Sequence, residues 1–185
     1  MSERAQLKSL LLERSVRLGE FVLASGAKSD YYIDARTTTM CAEGQRLVGL
    51  VGLQIIRERA LEPTHVGGLT MGADPIAYAI AHRSALEGQP IDGFSVRKRP
   101  KDHGTGQRVE GGVPKGARCL IVEDTMTTGR SSLEAVEAVR AHGADVVGVL
   151  ALVNRSSDAA ALYDREGIPL VWVFTGEELL KAARG

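Results

Sequence analysis

The chain has 185 residues, with 23 lysines plus arginines against 23 aspartates plus glutamates, and 44% of it is hydrophobic. That length suits one domain with a real core, while a net charge of zero supplies no global field for nucleic acid or an anionic membrane. No run approaches the ~18 apolar residues of a membrane span, the N-terminus lacks the apolar stretch of a signal peptide, and Cys41 and Cys119 lack metal-type spacing, so a soluble, reduced, cytoplasmic protein is expected.

Residues 3–14 place Leu7, Leu10, Leu11 and Leu12 on a helical period behind Ser2 as a cap, which predicts an amphipathic first helix. Residues 16–24 carry Leu18, Phe21, Val22 and Leu23, residues 25–28 read as a turn, and 30–35 are β-rich at Tyr31, Tyr32 and Ile33, so a hairpin is expected. Helix and hairpin, within residues 1–36, would form a small hood. A helix over 43–59 follows, and after Pro63 strands and helices alternate. Strand 65–69 leads through the small-residue turn Thr70-Met71-Gly72-Ala73, which lets backbone approach a ligand, to a helix over 76–86 with Asp74 as cap and Pro75 in its first position. Strand 91–96 empties into residues 97–113, where Arg97, Lys98, Arg99, Lys101 and His103 can be positive and no apolar period survives. A loop that long in a compact domain is functional or disordered, and its glycines suit a mobile lid. Strand 119–122, helix 132–141, strand 144–153, helix 158–165, strand 169–174 and helix 177–183 complete an α/β chain with a central, mainly parallel sheet flanked by helices.

The chemistry concentrates between Cys119 and Ser131. Four apolar residues end at two carboxylates, Glu123 and Asp124, and Thr125, Thr127, Thr128, Gly129 and Ser131 then lead into a helix. Hydroxyls and backbone N–H groups at a helix N-terminus suit a phosphate. The carboxylates repel that anion, so they must serve something attached to it that carries hydroxyls or a metal; a ribose phosphate with Mg²⁺ satisfies both demands. No G-x-x-x-x-G-K-[ST] and no strand-following G-x-G-x-x-G competes. Strands ending at Leu69, Val96, Val122 and Val153 would bring the Gly72 turn, the Arg97 loop, the acidic pair and Arg155 to one sheet edge, where open α/β sheets bind ligands.

The segment from Cys119 to Ser131 resembles the phosphoribosyl pyrophosphate (PRPP) signature of the type I phosphoribosyltransferases. F-V-L-A-S-G-A-K-S-D-Y-Y-I-D resembles the hood, and R-K-x-x-K-x-H-G the catalytic loop, of the orotate-specific branch of that family. The resemblance implies the type I phosphoribosyltransferase fold and transfer of ribose 5-phosphate from PRPP to orotate, with Mg²⁺ held mainly by substrate and water near Glu123 and Asp124 and no direct protein ligand assigned. It assigns PRPP contacts to Arg97, Lys98, Lys101, His103, Glu123, Asp124, Thr125, Met126, Thr127, Thr128, Gly129, Arg130 and Ser131, with Lys101, His103 and Asp124 catalytic. The turn Thr70, Met71 and Gly72 would hold pyrophosphate. Thr127, Arg155, Tyr32 and Ile33 would hold orotate, Arg155 because a guanidinium matches a carboxylate bidentately. It also implies a homodimer with shared sites, Lys98 and Lys101 acting on the neighbour's site, and no nucleic-acid or membrane partner. Lysines that the branch often carries at the places of Ala24 and Gly72 are absent. Phosphoribosyl transfer to another base, or a PRPP-sensing regulator, is the alternative; the complete basic loop argues against both.

Overall fold

The computed structural model describes residues 1–22, 28–99 and 107–185. The expected turn after the first hairpin strand, Ala24, and Lys101 and His103 lie outside the described residues. Helix α1 (Glu3–Arg14) is capped by the Ser2 hydroxyl, which accepts from the Ala5 N–H at 3.3 Å, and buries Leu7 and Leu11. Strands β1 (Val16–Val22) and β2 (Lys28–Ile33) pair antiparallel as a separate two-stranded sheet. A short helix not foreseen from the sequence, α2 (Arg36–Thr39), joins the hairpin to α3 (Ala42–Glu58). Four residues are too few to show a helical period.

Strand β3 (His65–Leu69) and helix α4 (Asp74–Leu86) follow. Asp74 is not the cap expected of it: it sits inside the first turn, and its carboxylate accepts from the hydroxyls of Thr70 at 2.5 Å and Ser95 at 2.7 Å. Strand β4 (Asp92–Val96) leads to the basic loop, and the far end of that loop is strand rather than lid. Strand β5 (Val109–Glu110) pairs antiparallel with β4, and Val109 and Val113 are buried. Strand β6 (Arg118–Met126), helix α5 (Arg130–His142), strand β7 (Asp145–Asn154), helix α6 (Asp158–Glu166), strand β8 (Leu170–Thr175) and helix α7 (Gly176–Ala183) complete the order.

The main sheet has six strands in the order β5-β4-β3-β6-β7-β8, parallel except for β5. Successive side chains of a strand face opposite ways, so Leu120 and Val122 join one core layer with α3 and α4, while Cys119 and Ile121 join the other with α5. From β3 the chain builds outward through β4 to one edge, and from β6 through β7 and β8 to the other. The order therefore reverses between β3 and β6, the place where parallel sheets open a crevice beyond their carboxyl ends.

Candidate active site

Strand β6 carries its hydrogen-bonded register past the apolar run to Met126, so the acidic pair lies within the strand and not after it. The pleat then separates two neighbouring carboxylates. Glu123 turns towards Ser132 of α5, whose hydroxyl favours its charged form, and Asp124 turns the other way, where a Cβ on Gly72 would lie 2.7 Å from its Oδ1. Gly72 is therefore the residue that lets the turn after β3 close on Asp124. The Asp124 Oδ1 also accepts from the Thr125 N–H at 2.8 Å.

Both carboxyls titrate high. Burial, the like charge of Asp124 and the modest pull of Lys98 together leave Glu123 at about 7. Burial also raises Asp124, against the Thr125 N–H and the charge of Arg36. Carboxyls held away from water this way are poised for a ligand that supplies hydroxyls or positive charge.

Helix α5 opens with a bare N-terminus. Gly129 is its cap residue, in the left-handed region at φ 77°, and no side chain caps the first turn. The Gly129 carbonyl accepts from the buried Tyr163 hydroxyl at 3.0 Å, and a Cβ on Gly129 would lie 2.9 Å from the Tyr163 ring. The phenol thus holds this carbonyl on the protein side and leaves the helix N–H groups to solvent. Thr127, Thr128, Arg130 and Ser131 are exposed around that end. The Met126 side chain is 1% exposed in the core, and its carbonyl accepts from the Arg155 N–H at 2.8 Å. The Thr125 hydroxyl is buried without a hydrogen-bond partner among the described residues.

The turn after β3 has its Thr70–Met71 peptide in the cis form, with the Thr70 N–H donating to the Val96 carbonyl at 2.8 Å. Thr70 points its hydroxyl inward to Asp74, whereas Met71 is 58% exposed. Arg97 is held to the sheet edge, its backbone N–H bonded to Arg108 and its guanidinium 3.8 Å from Glu110. Lys98 lies near enough to its own chain's Glu123 to favour the charged carboxylate.

On the hood side Arg155, immediately after β7, lays its guanidinium over the Tyr31 ring at 4.7 Å. Its Nε is buried without a hydrogen-bond acceptor among the described residues. Ile33 is 4% exposed, so its side chain belongs to the core and only its backbone is left for a ligand. Tyr32 is exposed and packs with Phe21 at 5.6 Å between centroids. The expected orotate contacts of Tyr32 and Ile33 are through backbone, and of the two tyrosine rings the structure puts that of Tyr31 beneath Arg155. Strand alternation says that adjacent tyrosines face opposite sides, but not which side the guanidinium occupies.

Residues 49–180 match the phosphoribosyl transferase domain family. The chain is 43% identical over 183 residues to the orotate phosphoribosyltransferase of Aquifex aeolicus, covering 97% of this chain and 99% of that one. It is also similar to the orotate phosphoribosyltransferase of Mycobacterium tuberculosis H37Rv solved with Fe(III) dicitrate, with TM-score 0.86, 41% identity, and coverage of 96% of this chain and 99% of that chain. A second structure of that enzyme, in complex with 5-phospho-alpha-D-ribosyl 1-diphosphate, superposes with TM-score 0.81 at 38% identity over 96% of this chain and 99% of that chain. With the split acidic pair and open helix N-terminus set at the switch point of its sheet, the chain belongs to the type I phosphoribosyltransferases and, among these transferases, to the orotate phosphoribosyltransferases.

Proposed function

We propose that the protein catalyses Mg²⁺-dependent transfer of the ribose 5-phosphate group from PRPP to orotate, giving orotidine 5′-monophosphate and pyrophosphate, in the cytoplasmic de novo route to UMP. The observation that carries this reading is the junction of β6 and α5, where two half-buried carboxyls of raised pKa adjoin an uncapped helix N-terminus. The N-terminus of α5 takes the 5′-phosphate, and the acidic pair takes the ribose hydroxyls attached to it.

Among the described residues no group of three or more His, Cys, Asp or Glu is placed to hold a metal, so an all-protein cage is absent there. Two carboxyls beside a phosphate site fit Mg²⁺, which keeps waters and shares its shell with substrate oxygens; Glu123 and Asp124 would face it. When bound, the ion neutralises charge on the pyrophosphate leaving group. The protein's own part is electrostatic and geometric. Asp124 and Glu123 stabilise positive charge growing on the sugar as its C1–oxygen bond breaks, and Lys98 supplies cationic charge on the leaving-group side. Arg155, stacked on Tyr31 with an unsatisfied Nε, orients the orotate carboxylate, and Thr127 lies on the loop between it and the phosphate. Lys101 and His103 are assigned to the leaving group by resemblance alone.

We further propose a homodimer that shares its sites through residues 97–113. The direct test mixes pure protein with PRPP, orotate and Mg²⁺ and follows orotate absorbance. Loss of the orotate signal with stoichiometric pyrophosphate is expected, and no consumption with all three present overturns the assignment.

A further inference from the structure

Two cations reach the acidic pair, Lys98 acting on Glu123 and Arg36 on Asp124. Lys98 belongs to the basic loop, but Arg36 belongs to no motif: it is the first residue of α2, where the hood hairpin joins the body. Asp34 holds it in a fork. The Arg36 Nε donates to Asp34 Oδ1 at 2.9 Å and its Nη2 to Oδ2 at 3.1 Å, while the Arg36 backbone N–H also donates to Oδ1 at 3.2 Å. A guanidinium has five N–H donors, so the fork leaves the Nη1 edge and one further N–H unused, on a side chain 46% exposed.

Arg36 and Asp34 line a cleft of about 430 Å³ together with Met40 and with Met71 of the turn after β3. Both Met40 and Met71 are at least half exposed, so the wall facing the guanidinium is open to a ligand. The turn itself brings no cation, and Gly72 cannot acquire a side chain without displacing the Asp124 carboxylate. A highly charged anion seated on the cleft side of that turn therefore needs positive charge from across the cleft, which Arg36 lines.

We propose that Arg36 is a pyrophosphate-binding residue of its own chain, gripping the leaving group of PRPP from the hood side with its free guanidinium edge, while Asp34 acts as its positioning residue. This rests on the PRPP reading of the β6–α5 junction. Asp34 spares the guanidinium the cost of ordering when the anion arrives, since the fork already fixes its plane. The pair is partly exposed, so it adds little to stability and its variants should fold.

The test compares wild type with Arg36→Ala, Arg36→Lys and Asp34→Asn, folding being checked by circular dichroism. Steady-state kinetics give KM for PRPP and for orotate, and calorimetry gives Kd for pyrophosphate with Mg²⁺ and for ribose 5-phosphate. Arg36→Ala should raise KM for PRPP and Kd for pyrophosphate about tenfold or more, as expected for a lost charge-assisted hydrogen bond. Constants for orotate and ribose 5-phosphate should stay within about twofold, because neither ligand carries the group Arg36 holds. Arg36→Lys should recover part of the loss. Asp34→Asn should show the same pattern at smaller size, a KM effect confined to PRPP that a purely structural role would not produce. Unchanged pyrophosphate affinity in Arg36→Ala overturns the proposal and leaves the proposed reaction standing, as does an equal loss for all four ligands. If the wild type consumes no orotate, the reaction assignment falls, and the pyrophosphate titration still decides: binding lost in Arg36→Ala supports the site, and no binding by wild type overturns it.

Discussion

At the scale of single residues, the site is built from groups whose partners are incomplete within the protein. Glu123 ionises at about 7 because burial opposes its charge. A carboxyl raised above its unfolded value stabilises the fold when protonated, and that contribution is lost as pH rises from about 4.5 through about 7. In protein free of ligand and Mg²⁺, Glu123→Gln should therefore melt higher than wild type at pH 8, by an amount on the order of 2–3 kcal/mol of stability, and the difference should vanish at pH 4. Melting curves across that range check it, and a constant difference at every pH would assign the effect to packing instead. Arg155 presents the opposite case, a permanent cation with a buried, unsatisfied Nε over Tyr31. Arg155→Ala should raise KM for orotate by about 10- to 100-fold with KM for PRPP changed less than about threefold. Equal losses for both substrates would remove it from base recognition.

Elements decide which of these residues are presented and how. The N-terminus of α5 is useful because Gly129 turns the chain at φ 77° and Tyr163 anchors its carbonyl from beneath. The Tyr163 phenol, pushed up to about 12 chiefly by burial, stays a proton donor at any working pH. Alanine at residue 129 would suffer both the left-handed backbone and a Cβ 2.9 Å from the Tyr163 ring. Gly129→Ala should cost about 1–3 kcal/mol by thermal denaturation, and it should raise KM for PRPP more than KM for orotate, since the helix N–H groups lose their aim. A variant as stable as wild type with normal KM values would show that the loop tolerates another path. Strand β6 contributes differently: continuing its ladder through Asp124 fixes the two carboxyls on opposite faces, one beside Ser132 and the other against Gly72.

For the whole molecule, reversal of strand order between β3 and β6 gathers the turn at Gly72, the acidic pair and the start of the basic loop at one edge. The hood closes one side of that edge through Tyr31 and Arg36. Shared sites in a closed dimer can be tested by mixing Lys101→Ala with Asp124→Ala after dissociation and reassociation. If the loop acts on the neighbour, random pairing should restore about a quarter of wild-type sites, one site per mixed dimer being intact. Activity staying at the mean of the two parents would show a loop acting within its own chain.

The sequence by itself determined the elements whose signals are local. Strand β3 reads to the residue because an apolar run is bounded by Pro63 and a small-residue turn, and α1 reads to the residue because Ser2 stands at its cap. The strand-to-helix junction from Cys119 to Ser131 was legible for the same reason: acidic pair, hydroxyls, glycine and helix start are consecutive. Polarity misled where it served the site, ending β6 at Val122 although its ladder runs to Met126, and making a cap of Asp74 although its carboxylate holds Thr70 and Ser95. Only the tertiary structure decided which tyrosine lies under Arg155, and that Lys98 and Arg36 come near enough to Glu123 and Asp124 to favour their charged forms. Side-chain periodicity reports burial along one element, whereas these meetings join segments far apart in the chain, and their distances are set by how the sheet orders its strands and where the hood comes to rest on it.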